Sequence, residues 1–194
     1  MAKRDTAALL TESAFELFSK RGISSVSIDA IAENVGVTKG SAYWHYKSKD
    51  EIILGGCEYY YAKTLEHLRA TAAAGTTAAE MLKLAIRDSV QTCLIDEANR
   101  IFTMEIFTLS LYNAQVRTSW ARFFEDVREF YKQLYKQAAK EAGKSVSAKD
   151  TDRAVNLMLS AMEGYKLRAI YEPDLCKKGA EKEIASHLIS IIGL

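Results

Sequence analysis

The sequence predicts an all-α protein of about nine helices, a small three-helix head at the N-terminus followed by a larger helical body. Three observations predict it. Apolar residues recur at helical spacing nearly throughout the 194 residues, no segment alternates as a half-buried strand would, and Pro173 is the only proline among sparse glycines. A boundary near residue 50 separates head from body, so the expected domains are residues 1–50 and 51–194.

Leu10, Ala14, Leu17 and Phe18 form an apolar stripe on a first helix of about residues 4–20, and Gly22 supplies its stop. Ser27 has the chemistry of an N-cap, with Asp29 favourable to the dipole in the first turn of a short second helix. Ile28, Ile31, Ala32 and Val35 face inward on it. Gly36 stands where a tight turn needs a left-handed backbone, and Thr38 caps a third helix through Tyr46. Two short helices joined by a glycine turn make a helix-turn-helix. Ser48-Lys49-Asp50-Glu51 is a capping box opening a longer fourth helix through Ile52, Ile53, Cys57, Tyr61, Leu65 and Leu68, which the run Ala72-Ala73-Ala74-Gly75 ends.

In the body, Thr77 to Glu80 opens a helix to about Ile95 with Met81, Leu84, Ala85, Asp88 and Thr92 along one side. Residues 101–112 are apolar nearly all round, the pattern of a segment buried in a bundle. Asn113-Ala114-Gln115 reads as a kink or connection before a long helix over 116–141, rich in aromatics, that Gly143 stops. Ser147 caps a helix over 149–170, Glu172-Pro173 breaks the chain, and a final helix runs over 177–192.

Composition narrows the function classes. Lys and Arg number 26 against 25 Asp and Glu, a net charge of +1, so the chain as a whole is not a basic, non-specific nucleic-acid binder. The charge is local instead: residues 34–49 hold three lysines, one histidine and no acid. Cys57, Cys93 and Cys176 lack disulfide or zinc spacing, so no metal is expected and reduced packing thiols are. The first ten residues carry no secretory pattern and no run is long and apolar enough for a bilayer, so a cytoplasmic protein without membrane contact is expected. Enzyme signatures are missing: GVTKGS lacks the ending of a P-loop, no nucleophile elbow occurs, and His45, His67 and His187 are scattered. No cofactor is expected.

The residues from Ala14 to Ile53, A-x-x-LF-x-x-x-G through S-I-D-A-I-A-x-x-x-GV-T-K-G-S-x-Y-x-H-Y-x-S-K-D-E-I, resemble the DNA-binding head of the TetR family of bacterial repressors. The resemblance implies a homodimer that binds a palindromic double-stranded DNA operator and leaves it when a small-molecule effector binds. It implies a phosphate contact for Ser27 and places Thr38, Lys39, Gly40 and Ser41 at the exposed start of a recognition helix. Tyr43 and Trp44 would pack on sugars and thymine methyls, and His45 and Lys49 would meet phosphates. Ser27 and Thr38 serve as caps on either reading. Tyr43 and Tyr46 are also readable as core aromatics of the head, the preferred reading for Tyr46, which replaces the usual Phe, and Lys47 reads as a solvated charge.

The family's dimer interface lies on the last two helices, which here offers Met158, Ala161, Met162, Leu188 and Ile191, with Ser160 and Gly164 permitting close approach; an intramolecular core is the alternative. The family's effector pocket lies inside the body, for which the candidates are His67, Phe102, Glu105, Phe107, Tyr112, Trp120, Phe124 and Tyr165, each also readable as plain core. Glu105, among Phe102, Met104, Ile106 and Phe107, needs a partner if buried, for which a cationic ligand is one candidate; the idea lapses if Glu105 faces water or pairs with an arginine. The rival readings are a helical small-molecule-binding protein without operator specificity, and an all-α enzyme.

Overall fold

The computed structural model describes residues 5–193. Nine α-helices occur among them: α1 (Thr6–Arg21), α2 (Ile28–Val35), α3 (Lys39–His45), α4 (Lys49–Ala72), α5 (Ala78–Val90), α6 (Glu97–Leu109), α7 (Ala114–Glu141), α8 (Ala148–Arg168) and α9 (Ala180–Ile192). A π-helical turn, Gln91–Ile95, follows α5, and a 3-10 turn, Pro173–Cys176, precedes α9. The described residues contain no strand. They form two compact units, one of residues up to Lys63 together with Glu97–Arg122, the other of Thr64–Asp96 together with the chain from Phe123 onward. Both α4 and α7 therefore contribute to each unit.

The first unit is set by local chemistry. Asp5 caps α1 by accepting from Ala7 N–H at 3.2 Å, and α1 buries Leu10, Ala14, Phe15, Leu17 and Phe18. Gly22 ends it at φ 79°, and its N–H donates to Phe18 O. The next amide, Ile23 N–H, donates to the carboxylate of Glu105 on α6, and a Cβ on Gly22 would lie 2.8 Å from that carboxylate. Glycine is thus required there by backbone and by space. An aromatic nest fills the interior: Phe15 meets Phe102 at 4.9 Å, and Tyr60 meets Phe102 at 5.5 Å and Trp120 at 5.7 Å between ring centres.

In the second unit, the buried Tyr131 hydroxyl donates to Ala85 O at 3.0 Å and shares a 2.7 Å hydrogen bond with Ser89. Helices α8 and α9 bury Val155, Met158, Met162, Ile184, Ala185, Leu188 and Ile192. Ser147 caps α8 as expected, accepting from Asp150 N–H at 3.1 Å.

Several expectations need correction. The inner face of α5 is Ala78, Leu82, Ala85, Ile86 and Val90, and a π-helical turn replaces regular helix before Ile95. Helix α6 is buried only along Phe102, Thr103 and Ile106, while Phe107, Leu111 and Tyr112 point to solvent. Asn113 lies in the connection before α7 and caps it, its Oδ1 accepting from Gln115 N–H at 3.0 Å and Val116 N–H at 3.1 Å, so α7 begins at Ala114 and not at 116. The last helix starts at Ala180, after Gly179 turns at φ 101°.

Candidate nucleic-acid interface

Helices α2 and α3 are each started by a hydroxyl cap, Ser27 Oγ accepting from Ala30 N–H and Thr38 Oγ1 from Ser41 N–H, both at 3.1 Å. Between them Gly36 adopts φ 76°, ψ 29°, and Val37 N–H returns to Ala32 O at 3.0 Å, closing α2 and turning the chain. Asn34 on α2 donates to Ser13 Oγ of α1 at 2.9 Å.

Helix α3 is held by very little. Ala42 is its only buried residue, and the remaining side chains face outward or sit half-covered. Trp44 is 72% exposed and Tyr43 45%, two large aromatics presented to water side by side on one short rod. A monomer gains nothing by exposing them, which marks the face as a contact surface. The Trp44 ring stands edge-on to His45 at 4.6 Å.

The basic side chains of this window are tethered. Lys39 Nζ lies 2.5 Å from Asp29 Oδ2, and that bond and charge hold its pKa above the usual lysine value. Lys49 Nζ donates to Ser24 O at 3.1 Å. Lys47 is exposed, as expected of a solvated charge, and it also caps α3: its Nζ donates to Tyr43 O at 2.9 Å and Trp44 O at 2.8 Å, satisfying carbonyls that α3 leaves open. Ser48 Oγ accepts from Glu51 N–H as the expected box requires, and only the return bond is shifted by one residue, the Glu51 carboxylate accepting from Lys47 N–H at 2.6 Å. Tyr46 is half-buried against Gly55; burial first, then the charges of Glu58 and Asp5, push its hydroxyl pKa up.

All nine sequence-derived DNA candidates, Ser27, Thr38, Lys39, Gly40, Ser41, Tyr43, Trp44, His45 and Lys49, lie in the first unit on the α2–α3 segment and the start of α4, exposed or half-covered. Sequence reasoning missed the roles of Asp29 and Lys47.

The effector candidates fare differently. Phe102 and Trp120 are buried in the aromatic nest, whereas Phe107 is 54% exposed because α6 buries a single stripe, and Tyr112, in the turn after α6, is 84% exposed. Glu105 has its partner in the chain itself, the Ile23 amide, so it calls for no cationic ligand. His67, Phe124 and Tyr165 belong to the second unit, where His67 Nε2 lies 2.8 Å from Asp88 Oδ1, Phe124 packs on Phe123 at 5.6 Å and Tyr165 bonds His187 at 2.6 Å. Burial raises the Asp88 carboxyl pKa against the opposing pull of His67 and Thr71. An open groove of about 510 Å³ in the first unit is lined by Leu54 and by Glu58, Gln115, Thr118, Ser119 and Arg122, polar side chains that hydrophobic periodicity does not mark.

Of the dimer candidates, Met158, Met162 and Leu188 are at most 4% exposed, packed inside the protomer's own second unit. Ala161 and Ile191 are half-buried. Among the described residues no cluster of metal-ligating side chains occurs and no helix is long and apolar enough to cross a membrane.

Helices α1 to α3, the third exposed behind a left-handed glycine turn, have the arrangement of a helix-turn-helix. Residues 10–55 match the model of the bacterial regulatory proteins, tetR family. The chain is 41% identical over 49 residues to the regulator AcrR of Shigella flexneri, covering 25% of this chain and 23% of that protein. It is 40% identical over 50 residues to the regulator TtgR of Pseudomonas putida, covering 26% and 24%. These matches thus span about a quarter of the relatives' length. Likeness over the whole chain comes from solved structures: a transcriptional regulator of Saccharomonospora viridis in complex with choline (TM-score 0.81, 17% identity, 98% of this chain and 96% of that one) and a TetR-family regulator of Rhodococcus sp. (0.75, 20%, 96% and 95%). At these identities they establish the fold.

Proposed function

We propose that this protein is a cytoplasmic transcription regulator that binds a palindromic operator as a homodimer and is released by a small-molecule effector. The observation that carries the reading is α3: a capped rod, anchored by one alanine, that turns Tyr43 and Trp44 to solvent beside Lys39, Ser41 and His45. Such a rod fits the major groove, where Tyr43, Trp44 and Ser41 would read base edges and thymine methyls and Lys49 would meet a phosphate. A single short helix contacts few bases, which is why such heads work in pairs on half-sites ~34 Å apart.

The effector would act through a body conformation in which α4 resets the spacing of the two heads, and can do so only by binding one state more tightly. The groove along Leu54, Glu58, Gln115 and Arg122 borders the half of α4 next to the head and is the candidate entry in the first unit. A thermal-shift screen of lipids, aromatic drugs and acyl thioesters identifies ligand classes.

The test of DNA binding is enrichment of duplexes from a random library by the full chain, followed by titration against salt. Lys49→Ala is expected to weaken binding to all sequences and flatten the salt slope by about 0.9. Tyr43→Ala is expected to change the enriched sequence. No enriched palindrome, or equal effects of both variants on specific and random DNA, would overturn the reading in favour of a helical small-molecule binder.

A further inference from the structure

Asp29 is the acid that faces the start of the DNA-facing helix, and its two oxygens behave differently. Oδ2 holds the Lys39 ammonium at 2.5 Å, tying the first turn of α2 to the first residue of α3. Oδ1 is buried and finds no hydrogen-bond partner among the described residues. A buried carboxylate oxygen without a donor is a cost to folding, and the exposed ion pair on the other side repays little of it. Both facts point away from stability as the reason for the arrangement. The lysine it holds is the residue that opens α3.

We infer that Asp29 sets the sequence selectivity of the head by withholding the Lys39 charge from nucleic acid in general. Binding to arbitrary duplex is electrostatic, and each lysine that neutralises a phosphate adds to it without regard to sequence. With Lys39 occupied by Asp29, random DNA gains one cation fewer than the composition of the window allows. On the correct site, contacts of Ser41, Tyr43 and Trp44 hold α3 in the groove, and a solvent-exposed pair is weak enough to open there and release the ammonium to the DNA. Asp29 thereby lowers the affinity for wrong sequences more than for the right one. This inference rests on the DNA-binding reading above.

Four full-length proteins test it: wild type, Asp29→Asn, Lys39→Ala and the double variant, each titrated against random duplex and against the duplex enriched by the wild type, over a range of salt. Asp29→Asn is expected to bind random duplex roughly 3- to 10-fold tighter with a slope steeper by about 0.9, to change less on the enriched duplex, and so to lose selectivity. Lys39→Ala in the wild-type background is expected to leave the random-duplex slope unchanged while weakening the enriched duplex, a result that does not depend on how Asp29→Asn folds. The double variant is expected to behave as Lys39→Ala alone. The inference is overturned if Asp29→Asn leaves random binding unchanged, if its gain persists without Lys39, or if Lys39→Ala alone flattens the random-duplex slope. Should wild type enrich no sequence at all, the DNA-binding reading fails and this one with it.

Discussion

At the scale of single residues, what the sequence makes visible is what acts over three or four positions. The caps Ser27, Thr38 and Ser147 and the left-handed Gly36 stand where the residue types alone put them, because a hydroxyl meeting an amide three residues on needs no distant partner. Ionisable side chains are different, since their environment is assembled from other helices. Asp88 illustrates this: burial raises its pKa despite the adjacent His67. A carboxyl raised in the folded state stabilises the fold only while protonated, so that contribution is full below the ordinary carboxylate pKa and lost as pH climbs through the raised one. Asp88→Asn is therefore expected to melt at a higher temperature than wild type near neutral pH. The gap should close as pH falls toward about 4, because both forms are then neutral. Thermal unfolding from about pH 4 to about pH 8 reads it, and a gap that widens toward acid would contradict the assignment. The thiol of Cys57, which burial pushes up to about 12, belongs to the same class of property that no local pattern reveals.

At the scale of elements, the sequence shows hydrophobicity but not the neighbour that uses it. Helix α6 reads as apolar all round, yet only Phe102, Thr103 and Ile106 are covered, because burial follows one stripe. Glu105 on the same helix shows the converse. Its role is legible only once the α1–α2 elbow is in place, where Ile23, 8% exposed, offers an amide with no helical acceptor. Removing the acceptor strands that donor, at a cost of about 1–3 kcal/mol. Glu105→Ala is accordingly expected to lower the melting temperature and speed hydrogen exchange at Ile23, with Glu105→Gln, which keeps a carbonyl acceptor, falling between. Unchanged exchange at Ile23 in the alanine variant would show that the elbow is held by packing alone.

At the scale of the whole molecule, the question is which apolar surface of the protomer remains for a second copy. Helix α8 carries two stripes that the sequence does not separate. Val155, Met158 and Met162 lie on the buried one, and packing against α9 within the protomer leaves them no surface to share, which is why the sequence-derived interface residues Met158 and Met162 face inward. The second stripe runs Leu157, Ser160, Gly164, Leu167 and, just past the helix end, Tyr171, the alternating three- and four-residue spacing of a helix–helix seam. Leu157 is 55%, Leu167 52% and Tyr171 66% exposed, and a Cβ on Gly164 would meet open space, so a facing helix could approach closely there. In the proposed dimer this seam joins the two protomers. A carboxylate placed on it faces its own symmetry mate across a dry contact, where burial and like charge act together. Leu167→Glu is therefore expected to convert the full chain from dimer to monomer in sedimentation while leaving its helical content intact. Binding to the enriched palindrome should fall far more than binding to a single half-site, since each head is unaltered and only the pairing is lost. A Leu167→Glu protein that still sediments as a dimer would move the interface off this stripe, and a wild type that sediments as one subunit would remove the dimer from the proposal.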